Sequence, residues 1–566
     1  MGTSWTDAQR IAIDTRNKTL LVSAAAGSGK TATLTERIIR SLTDENSPAD
    51  ISRMLIATFT RASAADLKKK ISNALSAKLL ENPENTHLPK QLVALGSAHI
   101  STIDSFYYDI LKVHFGKLSL PQAPRIVDES EFKPLNLSIM NETIDDFYKD
   151  YKDFEKFIEI FTSVRDNSKV AEVFISIYDK LLAQRKSVEL LKDYADELKA
   201  LSNTNIFDTK YGEVALKKLS AFLNFACEYS HDMINEISID DTAKNAYGPA
   251  FYSDLALWEK LRNSLSSPIY EDLRNAVRNH TKVSLNRLSG NAYLELRSKK
   301  ELRTTVYKEF DKIVDRYFFY TSDEIKSSFI DNSKICQILY DLLSKFNEQI
   351  MREKANRGIC TFNDIRRFVL DILCNKDGSP TDVALEYRDR FDYIYIDEYQ
   401  DVDPVQDAIF ETISKPNNRF MVGDIKQSIY GFRNADPSIF ARLKSNMPEI
   451  GSAESEQYSI FMSNNFRCDK FVVKFSNAVS SFLFSNRAKS IGYTDKDDLI
   501  YTKKLPNPEN PPVPATVAIT GIMPDGVTVK SLEGDDKEKQ KRASEKYIAA
   551  EIKSLVESEY HNDVKN

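Results

Sequence analysis

Eight consecutive residues, Ala24-Ala25-Ala26-Gly27-Ser28-Gly29-Lys30-Thr31, have the types and order needed to hold a row of phosphates. They fit the pattern G-x-x-x-x-G-K-[ST] except at its first position, which is Ala24. Gly27 and Gly29 let the backbone turn and aim N–H groups at phosphate oxygens. Lys30 would reach the β/γ-phosphates, and the Thr31 hydroxyl would hold Mg2+. The competing reading is a glycine turn that happens to precede Lys-Thr. The flanking elements argue against it, because an apolar run comes before the loop and a helical pattern follows.

Phosphoryl chemistry needs one acid for the metal's water shell and another to activate the attacking water. The apolar run Tyr393-Ile394-Tyr395-Ile396 ends in Asp397-Glu398. Acids at the C-terminal end of a buried parallel strand stand where α/β sheets bind their ligands. Asp397 suits Mg2+ and Glu398 suits the general base. By themselves two acids there could equally cap a helix; beside a phosphate loop they read as chemistry.

Both groups need a sheet to carry them. Thr19–Ser23, Met54–Phe59, His99–Ile103, Tyr393–Asp397 and Phe420–Asp424 are short apolar runs of the kind buried parallel strands show. Helical spacing follows at Thr31–Leu42, at Ala62–Leu79 and after His99–Ile103 as far as Leu111. The alternation predicts an α/β fold with a parallel sheet. From about 124 to 356 the strand signals fade, and Val170–Leu191 and Leu302–Phe319 read as helices of a large insertion. A new segment is expected after Ser459. It includes a Pro/Asn-rich loop at Leu505–Pro512, a charged stretch at Glu533–Arg542 and a helix at Ala543–Glu557.

The 566 residues carry 77 Lys+Arg against 83 Asp+Glu, a net charge of −6. Any nucleic-acid site must therefore be a local patch. One candidate is Arg274–Arg303, with a net charge of +6; it could steer duplex DNA or be a solvated helical face. Five scattered cysteines without a C-x-x-C pair argue against a disulfide scaffold or zinc ribbon and fit a reducing compartment. No membrane-spanning run or leader is evident, so a cytoplasmic protein is expected.

Read together, these residues resemble superfamily 1 helicases of the UvrD/Rep type. Thr6-Asp7-Ala8-Gln9 resembles the Q motif, in which Gln9 would read adenine, and Ala24–Thr31 resembles motif I. Ala57–Ala64 and Ser101–Phe106 resemble motifs Ia and Ib, with Asp104 where many relatives carry His. Asp397–Asp401, Val422–Arg433 and Asn464–Arg467 resemble motifs II, III and IV. Within that group, the box Asp397-Glu398-Tyr399-Gln400-Asp401 and Cys360-Thr361-Phe362-Asn363-Asp364 most resemble the AddA (RexA) component of AddAB-type (RexAB) helicase–nucleases.

The resemblance implies an ATP-driven 3′→5′ motor on single-stranded DNA, with ATP and Mg2+ as cofactors, duplex DNA ahead of it and an AddB/RexB-type partner subunit. It implies a nucleotide site at Gln9, Ser23, Ala24, Ala25, Ala26, Gly27, Ser28, Gly29, Lys30 and Thr31, with Thr31 and Asp397 on the metal. Lys30, Glu398, Gln427 and Arg467 take the catalytic roles: Gln427 senses the γ-phosphate, and Arg467 neutralises charge from across the cleft. Phe59, Tyr430 and Phe432 stack on bases, while Arg61, Ser105, Phe106 and Arg433 make further DNA contacts. Phe432 stands where relatives often have Trp. Each of these aromatics could otherwise be an ordinary core ring.

The implied architecture is a P-loop RecA-like domain 1A (1–122 and 361–455), a helical domain 1B (123–360) and an incomplete second RecA-like domain 2A (456–566). Motifs V and VI and a nuclease domain are not found, so the chain is expected to be an N-terminal portion, poorly active alone. A stand-alone repair helicase and a nucleotide-gated DNA-binding module are the other readings.

Overall fold

A computed structural model describes residues 5–118, 120–152, 154–162, 169–288, 293–486 and 492–502. The loop expected at 505–512, the charged stretch at 533–542 and the helix at 543–557 lie outside the described residues. The chain forms two compact units, one from Met1–Ile103, Arg388–Val402 and Ser414–Asn566, the other from Asp104–Tyr387 and Asp403–Ile413.

The first unit is built on a six-stranded sheet. Its strands are β1 (Thr19–Ala24), β2 (Met54–Thr58), β3 (His99–Thr102), β4 (Tyr393–Ile396), β5 (Arg419–Gly423) and β6 (Gln457–Met462). They run parallel in the order β3-β2-β4-β5-β1-β6. All residues of β1, β2 and β5 are buried, which explains why these strands are continuous apolar runs rather than alternating ones. Helix α1 (Asp7–Asp14) begins with a capping box between Thr6 and Gln9. Helix α2 (Lys30–Leu42) follows β1, and α3 (Arg61–Glu81) follows β2, burying Ala64, Leu67, Ile71 and Leu75 at helical spacing. The buried Arg37 of α2 donates to the Ala12 carbonyl at 2.7 Å and so ties α2 to α1.

The first sheet does not end near 455, where the sequence pattern places its boundary. Strand β6 pairs with β1 from Thr19↔Gln457 to Ala24↔Met462, so the boundary expected at 456 falls at the start of an edge strand of the same sheet.

The second unit is helical, as the insertion predicted, but begins at Asp104 rather than 123 and continues past 360 to Tyr387. One of its cores joins Phe132, Phe154 and Phe174 to Leu342 and Phe346. Another gathers Phe222, Trp258, Phe310 and Phe318. The helix expected over Val170–Leu191 is broken into Val170–Leu182 and Glu189–Leu201, with Ser187 at φ 54° in the link. The long helix Ser322–Arg357 opens on a Thr321–Glu324 capping box and closes on Gly358 at φ 62°.

The basic stretch is not one charged face. Arg303 is only 3% exposed, and its guanidinium grips Asp254 through two bonds of 2.6 and 2.7 Å. Arg274 donates to the Phe319 carbonyl at 2.9 Å. Arg303 is an internal strut, which corrects its assignment to a DNA-steering patch, and Arg274 is half-buried and tied to the backbone. Among the described residues no helix is long and apolar enough to cross a membrane.

Candidate functional site

Where β1 ends, the chain turns through Gly27 at φ 71° and Gly29 at φ 83° before entering α2. Only glycine takes such angles without strain. Neighbours fix the loop from both sides. Gln9 Nε2 donates to the Ser28 carbonyl at 2.9 Å, while Gln9 Oε1 accepts from Thr6 N. Asn465 Nδ2 donates to the Ala26 carbonyl at 2.7 Å, and Phe466 N donates to the Gly27 carbonyl at 3.0 Å. A Cβ on Gly27 would lie 2.9 Å from both Arg467 Cβ and Asn465 Nδ2. Glycine is therefore needed there for space as well as for φ. Ser28 Oγ is buried and has no hydrogen-bond partner, which leaves a spare donor inside the loop.

Two expected nucleotide contacts look different in place. Gln9 uses its amide to brace the loop. Ser23 lies within β1, and its hydroxyl donates to Asp497 Oδ1 at 3.2 Å. Ala24 ends β1 and Ala25 follows it; both are buried, and Ala25 bonds through its backbone, its N–H donating to the Met462 carbonyl at 3.0 Å and its carbonyl accepting from Ser28 N at 3.1 Å. Arg467 is exposed and belongs to the same unit as the phosphate loop, so the expectation that it acts from a second domain across a cleft is corrected.

The acids stand beside the loop. Lys30 Nζ lies 3.0 Å from Glu398 Oε2. Glu398 is held at φ 53° and its N–H donates to Asp397 Oδ1 at 3.0 Å. Burial, then the neighbouring Glu398 charge, push the Asp397 carboxyl up to about 6, against the opposing pull of Lys30. Burial and Glu398 likewise push Asp401 up to about 6. An excess of carboxylate charge next to the Thr31 hydroxyl is a setting that a cation relieves. Thr31 and Asp397 are hard oxygen donors, and among the described residues no group of three His, Cys, Asp or Glu forms a metal cage. So sparse a donor set fits Mg2+, which keeps most of its waters and takes phosphate oxygens.

Residues 424–433 carry the acids' surroundings toward three rings. Gln427 Nε2 donates to Asp424 Oδ2 at 2.7 Å, and Lys426 Nζ lies 3.1 Å from Asp424 Oδ1. The Phe59 and Tyr430 ring centroids are 4.6 Å apart, and Phe432 continues the row 5.8 Å beyond Tyr430. Phe432 is 77% exposed, unlike a core ring. The Arg433 guanidinium sits 5.8 and 5.9 Å from the Tyr430 and Phe432 ring centres. Arg61 is exposed at the start of α3. A cleft of about 410 Å3 is lined by Thr31, Asp397, Glu398, Asp401 and Gln427 together with Phe59, Thr60, Ser63 and Tyr430.

Ser105 and Phe106 belong to the helical unit instead. Phe106 is 2% exposed and packs edge-on against Tyr387, which corrects its expected DNA contact. Asp104, the departure from the His common in relatives, lies 3.3 Å from Arg366, which also binds Asp403 at 2.8 Å.

Several structural partners were not singled out from the sequence. Gln400 bonds Glu398, Asp401 and Asp424, and Asn465 clamps the loop. Asp497 accepts from Ser23 and pairs with Lys444 at 2.6 Å. Gln400 and Asn465 lie inside recognisable motifs; nothing in the sequence around Asp497 marks it.

A glycine loop feeding a helix, with paired acids at the end of another strand of the same parallel sheet, defines a P-loop α/β domain. The chain belongs to the UvrD/REP helicase N-terminal domain family, whose model matches residues 5–448. It is similar to proteins named as the A component of an ATP-dependent helicase/nuclease. The one from Thermoanaerobacter sp. (strain X514) is 33% identical over 519 residues, covering 88% of this chain and 41% of the relative. The one from Clostridium botulinum (strain Alaska E43 / Type E3) is 32% identical over 521 residues, covering 90% and 42%. The one from Lachnoclostridium phytofermentans is 34% identical over 516 residues, covering 89% and 37%. The chain thus spans about two fifths of the length of the curated relatives it matches.

Proposed function

We propose that this chain is the ATP-driven motor portion of a DNA helicase, acting in a helicase–nuclease that processes double-strand breaks. The observation that carries the reading is the shared cleft, lined both by Thr31 and the acidic residues and by the Phe59–Tyr430 ring pair. Nucleotide chemistry and base stacking would then be neighbours, as a translocating motor requires. The 3′→5′ direction, a cytoplasmic location and an AddB/RexB-type partner subunit rest on family resemblance.

In this reading the Ala24–Thr31 loop cradles the phosphates with backbone N–H groups and the start of α2. Lys30 turns from Glu398 to the β/γ-phosphates. Thr31 and Asp397 would hold Mg2+, which would supply positive charge against the phosphates. Glu398 takes the proton of the attacking water. Gln427 senses the γ-phosphate, Arg467 adds positive charge at the loop, and Phe59, Tyr430 and Phe432 offer π faces to successive bases.

The test is direct titration of the purified chain with a fluorescent ATP analogue, with and without Mg2+, and with labelled oligo-dT at several salt concentrations. Mg2+-dependent nucleotide binding and salt-sensitive single-strand binding are expected. Absence of either would remove the motor reading. Direction is read in the full-length protein from unwinding of duplexes with 3′ or 5′ tails.

A further inference from the structure

Gln400 is 1% exposed, yet every polar atom of its side chain is bonded across the site. Its Nε2 donates to Glu398 Oε2 at 2.9 Å and to Asp401 Oδ2 at 3.1 Å. Its Oε1 accepts from Asp424 N at 2.9 Å, and its backbone carbonyl accepts from Ser428 Oγ at 3.2 Å. Gly423 has no Cβ at the one place where a Cβ would collide with Gln400 Oε1. Gly423 does not need a left-handed φ, so its requirement is for space alone.

We infer that Gln400 is a positioning residue that couples the state of the nucleotide site to the strand-gripping segment 424–432. The inference rests on the motor reading above. Its two-state element is the Lys30 ammonium, which can pair with Glu398 or with phosphate but not fully with both. While Lys30 and Gln400 share Glu398 Oε2, that oxygen is held from two sides. Recruitment of Lys30 to phosphate removes one hold and frees Glu398 to swing toward water. The Gln400 amide, anchored on that same oxygen, must then readjust. Its other end holds Asp424, which accepts from Gln427, and its carbonyl holds Ser428, two residues before Tyr430. A carboxylate at this position could not donate to Glu398 and Asp401, and Asn would be one methylene too short to span the gap. A ligand shifts such an equilibrium only through contacts that differ between the two states, and the Lys30 choice supplies them.

The test measures single-strand affinity of the whole chain with and without a non-hydrolysable ATP analogue and Mg2+, using fluorescent oligo-dT. The wild type is expected to change affinity about fivefold or more on nucleotide binding, within the usual range of coupling between sites. Gln400→Leu keeps the volume and removes the side-chain bonds. It should bind each ligand alone within about threefold of wild type while the coupling ratio falls to about one. Gly423→Ala pushes on the same amide from the far side and should weaken coupling in the same way; it decides the matter if Gln400→Leu does not fold. Wild-type coupling in a folded variant, or two bound ligands without coupling in the wild type, would make Gln400 an ordinary satisfied amide and overturn the inference. Failure of the wild type to bind either ligand would instead strike the motor reading, and the inference with it.

Discussion

The Lys30 ammonium and the Glu398 carboxylate share a hydrogen bond, Nζ to Oε2 at 3.0 Å, although one is expected at the phosphates and the other at the attacking water. Their pairing makes the two residues separable by mutation. Lys30→Ala should weaken ATP binding about 10- to 100-fold, the range expected for one charged hydrogen bond, because the backbone nest survives. Glu398→Gln should bind ATP nearly normally and lose about 10²–10⁴-fold in any turnover. Calorimetry and single-turnover hydrolysis check the pair; equal loss of binding in both would refute the assigned roles.

Asp397 gives a pH dependence with a defined sign. Its folded carboxyl is raised to about 6, above its ordinary value, so it favours the fold while protonated. That contribution is complete below about pH 4 and is lost as the pH climbs through about 6. Asp397→Asn should therefore raise the unfolding midpoint at about pH 7–8 and give no gain near pH 4. Mg2+-dependent nucleotide binding, which needs the ionised form, should tighten from about pH 5 and level off above about pH 7. A flat profile across that window would contradict the assignment.

Phe432 and Phe106 should behave in opposite ways. Phe432→Ala should cost about 1–3 kcal/mol of single-strand affinity and leave the melting temperature almost unchanged. Phe106→Ala should cost about 3–5 kcal/mol of stability, the range for emptying a buried ring site. Fluorescence anisotropy and urea denaturation separate them. A strong stability loss in Phe432→Ala would return that ring to the core.

Arg303 and Asp254 form a buried pair whose value is visible only when it is broken. Arg303→Met should cost about 3–5 kcal/mol because the Asp254 charge is left without its partner. The double variant with Asp254→Leu should recover most of that loss. Additive losses in a double-mutant cycle would mean that the pair is not coupled.

The strands that carry the site were legible because parallel strands covered on both faces must be apolar throughout. Leu20–Val22, Leu55–Ala57, Ile394–Ile396 and Phe420–Val422 all show it. β6 was missed because Gln457 and Ser459 interrupt its apolar residues and the signal resembles a linker. The break near Ser187 was hidden because apolar spacing continues on both sides of it. The phosphate loop and the acids could be read from order alone, whereas the Gln400 hub depends on β5 lying next to β4, a long-range pairing no local pattern encodes. Phe106 misled for a related reason, since its burial is set by Tyr387, far along the chain.

The strand order also bears on how the protein is made. β1, which delivers the phosphate loop, has no neighbour among β2 and β3; its partners are β5 and β6. Thr19 meets Arg419 across a separation of 400 residues. At about 5–20 residues per second, a ribosome needs roughly 20–80 s to supply that partner. For that interval a strand with an apolar centre, Leu20–Val22, has both hydrogen-bonding edges open, and the helical unit between has time to fold first. Nascent chains halted before residue 419 should therefore bind chaperones through β1 and yield to protease there, and chains halted after β6 clears the exit tunnel should resist it.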